Sequence, residues 1–299
     1  MFVDYRGNIF SLLVWQWRNT LAFVATGVAA AVAHHFFGGY FPRLSSLPIA
    51  VLGGAIGIFV SFRTNSCYQR WWEGRQLWGR LINNSRHFAT QALLYLEDRP
   101  EEARALVRRT IAYTHVFRCR LRDQDMFADT DVKAFLSEED LAGLKGDSSP
   151  NHAILHTQME ILVRLQREGV IGPEVMRSFD ESIRVFLDVQ GGCERIKKTP
   201  FPRGYAFISD RLILAFGLLF PWTLFHEMGF WTVPLGVLVC LGFALIGEAG
   251  RVLEDPFTMF WPALPLTSLS KTIETNLRHR LGETGLPPLP VPNARGVLM

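Results

Sequence analysis

The sequence lacks the short motifs that mark common catalytic chemistry. It has no GxGxxG, no Walker loop, no HExxH and no nucleophile elbow, so nothing in it selects an enzyme. Cysteine is scarce. Cys67, Cys119, Cys193 and Cys240 are scattered and show no CxxC spacing, which argues against disulfides or a zinc site. A reducing cytosol suits the first three. Net charge is only +3 and no dense basic stripe occurs, so nucleic acid is not an expected partner. Strand alternation and internal repeats are missing as well. The most informative shortage is of charge. Residues 22–42 contain no Asp, Glu, Lys or Arg, residues 44–62 contain none, and Arg43 alone separates them. Two further runs, 212–226 and 228–247, are split by Glu227. A helix needs roughly 20 apolar residues to cross a bilayer.

What remains is polar. The stretch 63–211 separates the two apolar pairs, and 20% of the 299 residues are charged, which is high for a wholly embedded chain. An all-α protein is expected, with four transmembrane helices and a large cytosolic helical domain. Basic residues set the orientation. Arg6 and Arg18 precede the first span, and Arg63, Arg70, Arg75 and Arg80 follow the second. Arg195, Lys197, Lys198, Arg203 and Arg211 precede the third, and Arg251 follows the fourth. Both termini and the large loop are therefore expected in the cytosol. Asp4 and Arg6 near the start, with no small-residue cleavage site, make the first span its own expected insertion signal. The third span is the weakest, because 212–226 is short and contains Pro221.

The expected organisation is an N-terminal segment with spans 1 and 2 (1–62, pore-lining helix about 47–62), a cytosolic helical domain (63–205), spans 3 and 4 (206–250), a C-terminal helical segment (251–282) and a Pro- and Gly-rich disordered tail (283–299). A helix continues out of the second span to about Glu97, its bulky residues recurring at three- and four-residue steps. Helices start at Pro100, with Glu101 and Glu102 in the first turn, and at Ser137, residue 151 and Pro173. The last of these is expected to end at Gln190, before Gly191-Gly192.

Within the second span, Gly53 and Gly57 form a small-xxx-small pair suited to tight helix packing. Gly54, Ile58 and Phe62 fall at i, i+4 and i+8 and form another stripe. Several copies of that stripe around an axis would make stacked apolar rings, and apolar constrictions gate ions by dewetting. The two readings are compatible. No span centre holds a carboxylate of the kind a proton-coupled transporter uses. Trp71, Trp72 and Trp78 read as core and interface anchors, and Glu73 is placed for a local pair with Arg70. His34 and His35 read as packing residues or as a water contact near the outer surface, and Cys193 as a small buried one.

Three separated motifs carry a resemblance. Ser61-Phe62-Arg63-Thr64-Asn65 with Tyr68, Arg70-Trp71 and Trp72-Glu73-Gly74-Arg75 is the first. Gly191-Gly192-Cys193-Glu194-Arg195-Ile196 with Thr199-Pro200 is the second, and Leu253-Glu254-Asp255-Pro256-Phe257 with Leu264-Pro265-Leu266 the third. In order and spacing these resemble the bestrophins, bacterial branch, to about residue 280. The resemblance implies a homopentameric ion channel of the inner membrane. Its partners would be further copies of itself, membrane lipid and permeant monovalent ions. It implies an apolar neck at Gly54, Ile58 and Phe62, although Gly54 departs from the family's bulky residue there. It also implies a second constriction near Glu174, where a carboxylate ring would attract cations. Animal members are mainly anion channels, commonly for chloride, and bacterial relatives include cation-selective ones. Animal members bind calcium through acids after the Pro-Phe motif. Here Thr258-Met259-Phe260-Trp261-Pro262 follows, with no acid, so no metal or cofactor is expected. Glu254 and Asp255 read as partners for nearby Lys or Arg. The alternative is a membrane-anchored scaffold that binds a partner through its cytosolic helices.

Overall fold

The computed structural model describes residues 14–38, 45–260, 262–293 and 296–298. Asp4, Arg6, Arg43 and Trp261 lie outside them. The described secondary structure is helical: α1 Trp17–Phe37, α2 Leu47–Tyr95, α3 Pro100–Leu121, α4 Thr130–Lys133, α5 Glu138–Gly143, α6 Pro150–Arg167, α7 Pro173–Lys198, α8 Arg203–Met228, α9 Thr232–Leu253 and α10 Leu266–Arg280. Three helical stretches are long and apolar enough to cross a membrane. The third, Gly204–Leu253, is divided by a 3-10 turn at Gly229–Trp231. Gly229 has φ +56, a conformation that glycine adopts without steric cost. The chain forms two compact units: one holds the described residues up to Trp71 with Pro200–Glu254, the other Trp72–Thr199 with the described residues from Asp255 onward.

The apolar unit packs α1, the first part of α2, α8 and α9 around Phe23, Ile56, Val60, Ile213 and Phe216. Glycines let these helices approach closely. A Cβ at Gly217 would collide with the Phe23 ring, and one at Gly27 would lie 3.3 Å from Val233. Helices α8 and α9 run antiparallel, since Gly236 faces Phe220, Phe216 meets Phe243 and Gly247 faces Ile213. Helix α8 is longer than the short apolar run predicted. It begins at Arg203, before the charged pair Asp210-Arg211, and carries Pro221 internally. A proline there removes one backbone bond, and tertiary packing holds the rest of the helix. His34 is buried and stacks on Phe225 at 4.7 Å.

In the polar unit, prolines at the first turns of α3, α6 and α7 supply the preset φ that a helix start uses. Ser137 and Asp140 form a reciprocal capping box on α5. The predicted end of α7 at Gln190 is corrected, because the helix runs through Gly191-Gly192 to Lys198. Gly192 serves close approach. A Cβ there would lie 2.8 Å from Leu77 of α2. Trp78 is fully buried and stacks on Phe117 of α3, centroids 5.8 Å apart. Buried amides link helices: Gln158 Nε2 donates to Leu106 O and Thr110 Oγ1, and Gln91 Nε2 donates to Ser178 Oγ. Every buried donor so placed avoids the cost of an unmade bond.

Helix α10 is tied down by charge. Glu274 is 3% exposed, and its carboxylate meets His115 Nε2 at 3.0 Å, Lys271 Nζ at 2.8 Å and Arg278 Nη1 at 3.1 Å. Lys271 also reaches Asp131, whose neighbour Asp129 accepts from Arg118 at 2.6 Å. Glu283, the first residue of the expected tail, is held by Arg108 and Arg278. Burial alone would raise the Glu274 carboxyl, but the bonds from His115 and Lys271 outweigh it and bring it down to about 2. A depressed folded-state value means that the stabilisation is complete above the ordinary value of 4.5 and disappears as pH falls toward 2. Acid unfolding followed by circular dichroism is expected to steepen in that window. Glu274→Gln removes the buried carboxylate shared by His115, Lys271 and Arg278, while Lys271 keeps Asp131 and Arg278 keeps Glu283. It is expected to cost about 1.5–3 kcal/mol, the range for a hydrogen bond to a charged group. An unchanged urea midpoint at pH 7 would contradict this.

Candidate pore-lining face

The first part of α2 divides cleanly by period. Ile49, Gly53, Ile56, Val60, Arg63 and Cys67 are buried, while Leu47, Val51, Gly54, Ile58, Ser61, Phe62 and Asn65 are exposed. The buried set fills the unit's core. Ring atoms of Phe216 lie 3.0 Å from a Cβ built at Gly53, and Phe243 lies 3.5 Å from one at Gly57. A Cβ at Gly54 meets nothing within 4 Å. Ile58 and Phe62 are 62% and 64% exposed, large values for apolar side chains one turn apart. Together with Gly54, Gly57, Ser61 and Asn65 they line one open groove. Phe59, off this stripe, stacks on Tyr205 with centroids 4.1 Å apart.

Where the stripe ends, charge begins. Arg63 is 2% exposed, and its Nη1 lies 3.1 Å from Asp210 of α8. Thr64 Oγ1 donates to Ile246 O at 3.0 Å, and Gly250 gives it room. Burying a guanidinium without a carboxylate would be costly, so the pair fixes the register of α2 against α8.

In the polar unit the three sequence motifs meet. Gly74 of the first lies under Phe257 and Leu264 of the third, each 3.3 Å from a built Cβ. Glu73 of the first is paired with Arg195 of the second. Lys197 bridges Asp255 at 3.2 Å and Asp123 at 2.8 Å. Partial burial would lower the Lys197 ammonium, but Asp123 and Asp255 hold it above its ordinary value. Asp255 Oδ1 also accepts from the Phe257 amide, so the carboxylate is engaged on both sides. Burial pushes the Cys193 thiol far above its ordinary value, which leaves it a packing residue. No group of three or more His, Cys, Asp or Glu placed to hold a metal occurs among the described residues.

The family model described as Bacterial/Fungal Bestrophin protein matches residues 1–279. The chain belongs to the bestrophin family. It is 32% identical over 254 residues to the voltage-dependent anion channel-forming protein YneE of Salmonella typhi, covering 85% of this chain and 82% of that one. It is 30% identical over 290 residues to the protein RSc3414 of Ralstonia nicotianae, of the same description, covering 96% and 92%. A crystal structure of a bacterial bestrophin homologue from Klebsiella pneumoniae superposes with a TM-score of 0.84 at 28% identity, over 89% of this chain and 98% of that one. The relatives are described as channel-forming proteins, not enzymes. This bestrophin is accordingly a membrane protein.

The expected neck residues Gly54, Ile58 and Phe62 share one exposed face of α2. Glu174 belongs to the polar unit, exposed in the first turn of α7, where the helix dipole favours a carboxylate. Its side chain forms no ion pair with the described residues. Sequence reading missed the Arg63–Asp210 pair. It also missed Arg195 as a partner of Glu73. Both charges stand out at the borders of apolar or glycine-rich runs, which is the only signal the sequence offers for them.

Proposed function

We propose that this bestrophin is a homopentameric channel of the inner membrane that passes small monovalent anions. Four spans cross the bilayer, with both termini and the polar unit in the cytosol. The observation that carries this reading is the exposed stripe Gly54, Ile58 and Phe62 on a helix whose other faces are packed. One subunit supplies one such helix, so a pore requires several copies about an axis. Five copies of Ile58 and Phe62 then form two apolar rings, which impose dehydration on a passing ion. The antiparallel pairing of α8 and α9 supports counting them as two spans. The description of the Salmonella and Ralstonia relatives as anion channel-forming supports the sign of the permeant ion.

Mass measurement in detergent, paired with chloride flux from liposomes containing only this protein, tests the reading. A monomer as the only species, or no flux, would overturn it. The scaffold alternative would give no flux at any protein density.

Apolar rings carry little preference for sign, so flanking charge adjusts selectivity. Glu174 at the cytosolic mouth opposes anions and favours cations. Glu174→Gln is expected to move the reversal potential in asymmetric sodium chloride toward the chloride equilibrium value. A reversal potential that is identical in both proteins would remove Glu174 from the permeation path.

A further inference from the structure

We infer that the polar unit holds a binding site for a small organic phosphate, in a cleft between α2 and the C-terminal end of α10. The cavity is about 340 Å³ and is walled by Arg86 and Thr90 of α2 and by Asn276, His279 and Arg280 of α10. That volume suits a small phosphorylated molecule, at the lower end of the roughly 300–1,000 Å³ typical of ligand pockets.

The charges in this cleft are all of one sign. Arg86 and Arg280 have no carboxylate partner among the described residues, and no Asp or Glu lines the cavity. Some guanidiniums of the unit are matched: Arg108, Arg109, Arg118 and Arg278 each hold a carboxylate. Others, such as Arg120 and Arg122, meet only carbonyl or hydroxyl oxygens. What sets Arg86 and Arg280 apart is that both line one cavity. Glu283, the acid nearest in sequence to Arg280, is already taken by Arg278 and Arg108. The negative end of the α10 dipole accounts for a cation at Arg280. It does not account for Arg86, which comes from another helix and adds like charge. Two guanidinium forks are suited to phosphate oxygens, where each can make paired charge-assisted bonds.

The remaining walls narrow the ligand further. Asn276 Nδ2 donates to Thr272 O at 2.7 Å, which leaves its Oδ1 as an acceptor. The Thr90 hydroxyl donates to Arg86 O at 2.9 Å, which leaves its lone pairs as acceptors. Acceptors do not serve phosphate but do serve hydroxyl groups. Ala89, Leu277 and Leu286 give one apolar wall. Phosphate donors, hydroxyl acceptors and an apolar wall together match a sugar phosphate more closely than a bare inorganic anion.

Isothermal titration of the full-length detergent-purified protein with ribose 5-phosphate tests this, with ribose and inorganic phosphate as comparisons. Saturable binding of ribose 5-phosphate, tighter than inorganic phosphate and absent for ribose, is expected. Arg86→Gln and Arg280→Gln should each weaken it about tenfold or more, the loss of one charged hydrogen-bond set. Arg184→Gln, which removes an exposed arginine paired with Glu181, should leave it unchanged. Melting curves check that each variant is folded. No saturable binding, or binding unmoved in both Arg86→Gln and Arg280→Gln, would overturn the site. Repeating the titration in nanodiscs with and without phosphatidylglycerol separates a soluble phosphate from a lipid headgroup. Displacement by the lipid would overturn the soluble ligand. None of these readouts depends on ion conduction.

Discussion

Alanine at Ile58 or Phe62 is expected to raise single-channel conductance or open probability several-fold, while Phe59→Ala is not. Ile58 and Phe62 are one turn apart and both point away from the packed core, at 62% and 64% exposure. Phe59 is rotated by about 100° from Ile58, and its ring is occupied by Tyr205. In an assembled pore, truncating an outward side chain removes only ring volume. The neck widens, water re-enters, and the dehydration cost of an ion falls. Truncating Phe59 instead removes a stacked pair and leaves a void against α8. Its expected effect is lower thermal stability, at about 3 kcal/mol for a well-packed phenylalanine and less for one half-buried. Planar-bilayer recordings of the three variants discriminate. Larger currents from Phe59→Ala with unchanged currents from Ile58→Ala would place the other face of α2 on the pore.

Much of this could be read in the sequence because the information is local. The 3.6-residue period of α2 separates the two faces, and Pro100 and Pro173 mark helix starts whose φ they fix. The small-xxx-small pair Gly53 and Gly57 packs, and Gly54 does not, as their spacing around the helix requires. Local reading fails where partners are remote. Glu73 suggested a neighbour three residues away, yet its carboxylate is held by Arg195, 122 positions distant. Arg63 and Asp210 are separated by 147 positions. Residue spacing cannot encode such pairs, since only the folded packing of helices brings them together. Gly191-Gly192 misled for a related reason. Glycine is a helix breaker by propensity, but here its small size admits Leu77, and the tertiary contact outweighs the propensity. The ionic cluster around Glu274 joins α3, α4 and α10 and leaves no trace in any one of them.

The departure at Gly54 makes a sharper test of the neck, because the position is structurally free. A Cβ there meets nothing within 4 Å, whereas one at Gly53 lies 3.0 Å from the Phe216 ring. Leucine is also a better helix former than glycine, by somewhat less than the roughly 0.8–1 kcal/mol that separates alanine from glycine. Gly54→Leu is therefore expected to fold and assemble with unchanged or slightly higher thermal stability. In the pore it adds a third apolar ring one turn beyond Ile58, lengthening the dry segment an ion must cross. Conductance should fall several-fold, with little change in reversal potential, because leucine adds no charge. Gly53→Leu, one residue away, should instead drive a side chain into the α8 packing and cost about 1–3 kcal/mol, as overpacked cores do. The pair separates function from folding. Full-sized currents from a stably assembled Gly54→Leu channel would mean that this turn of α2 does not line the conducting path.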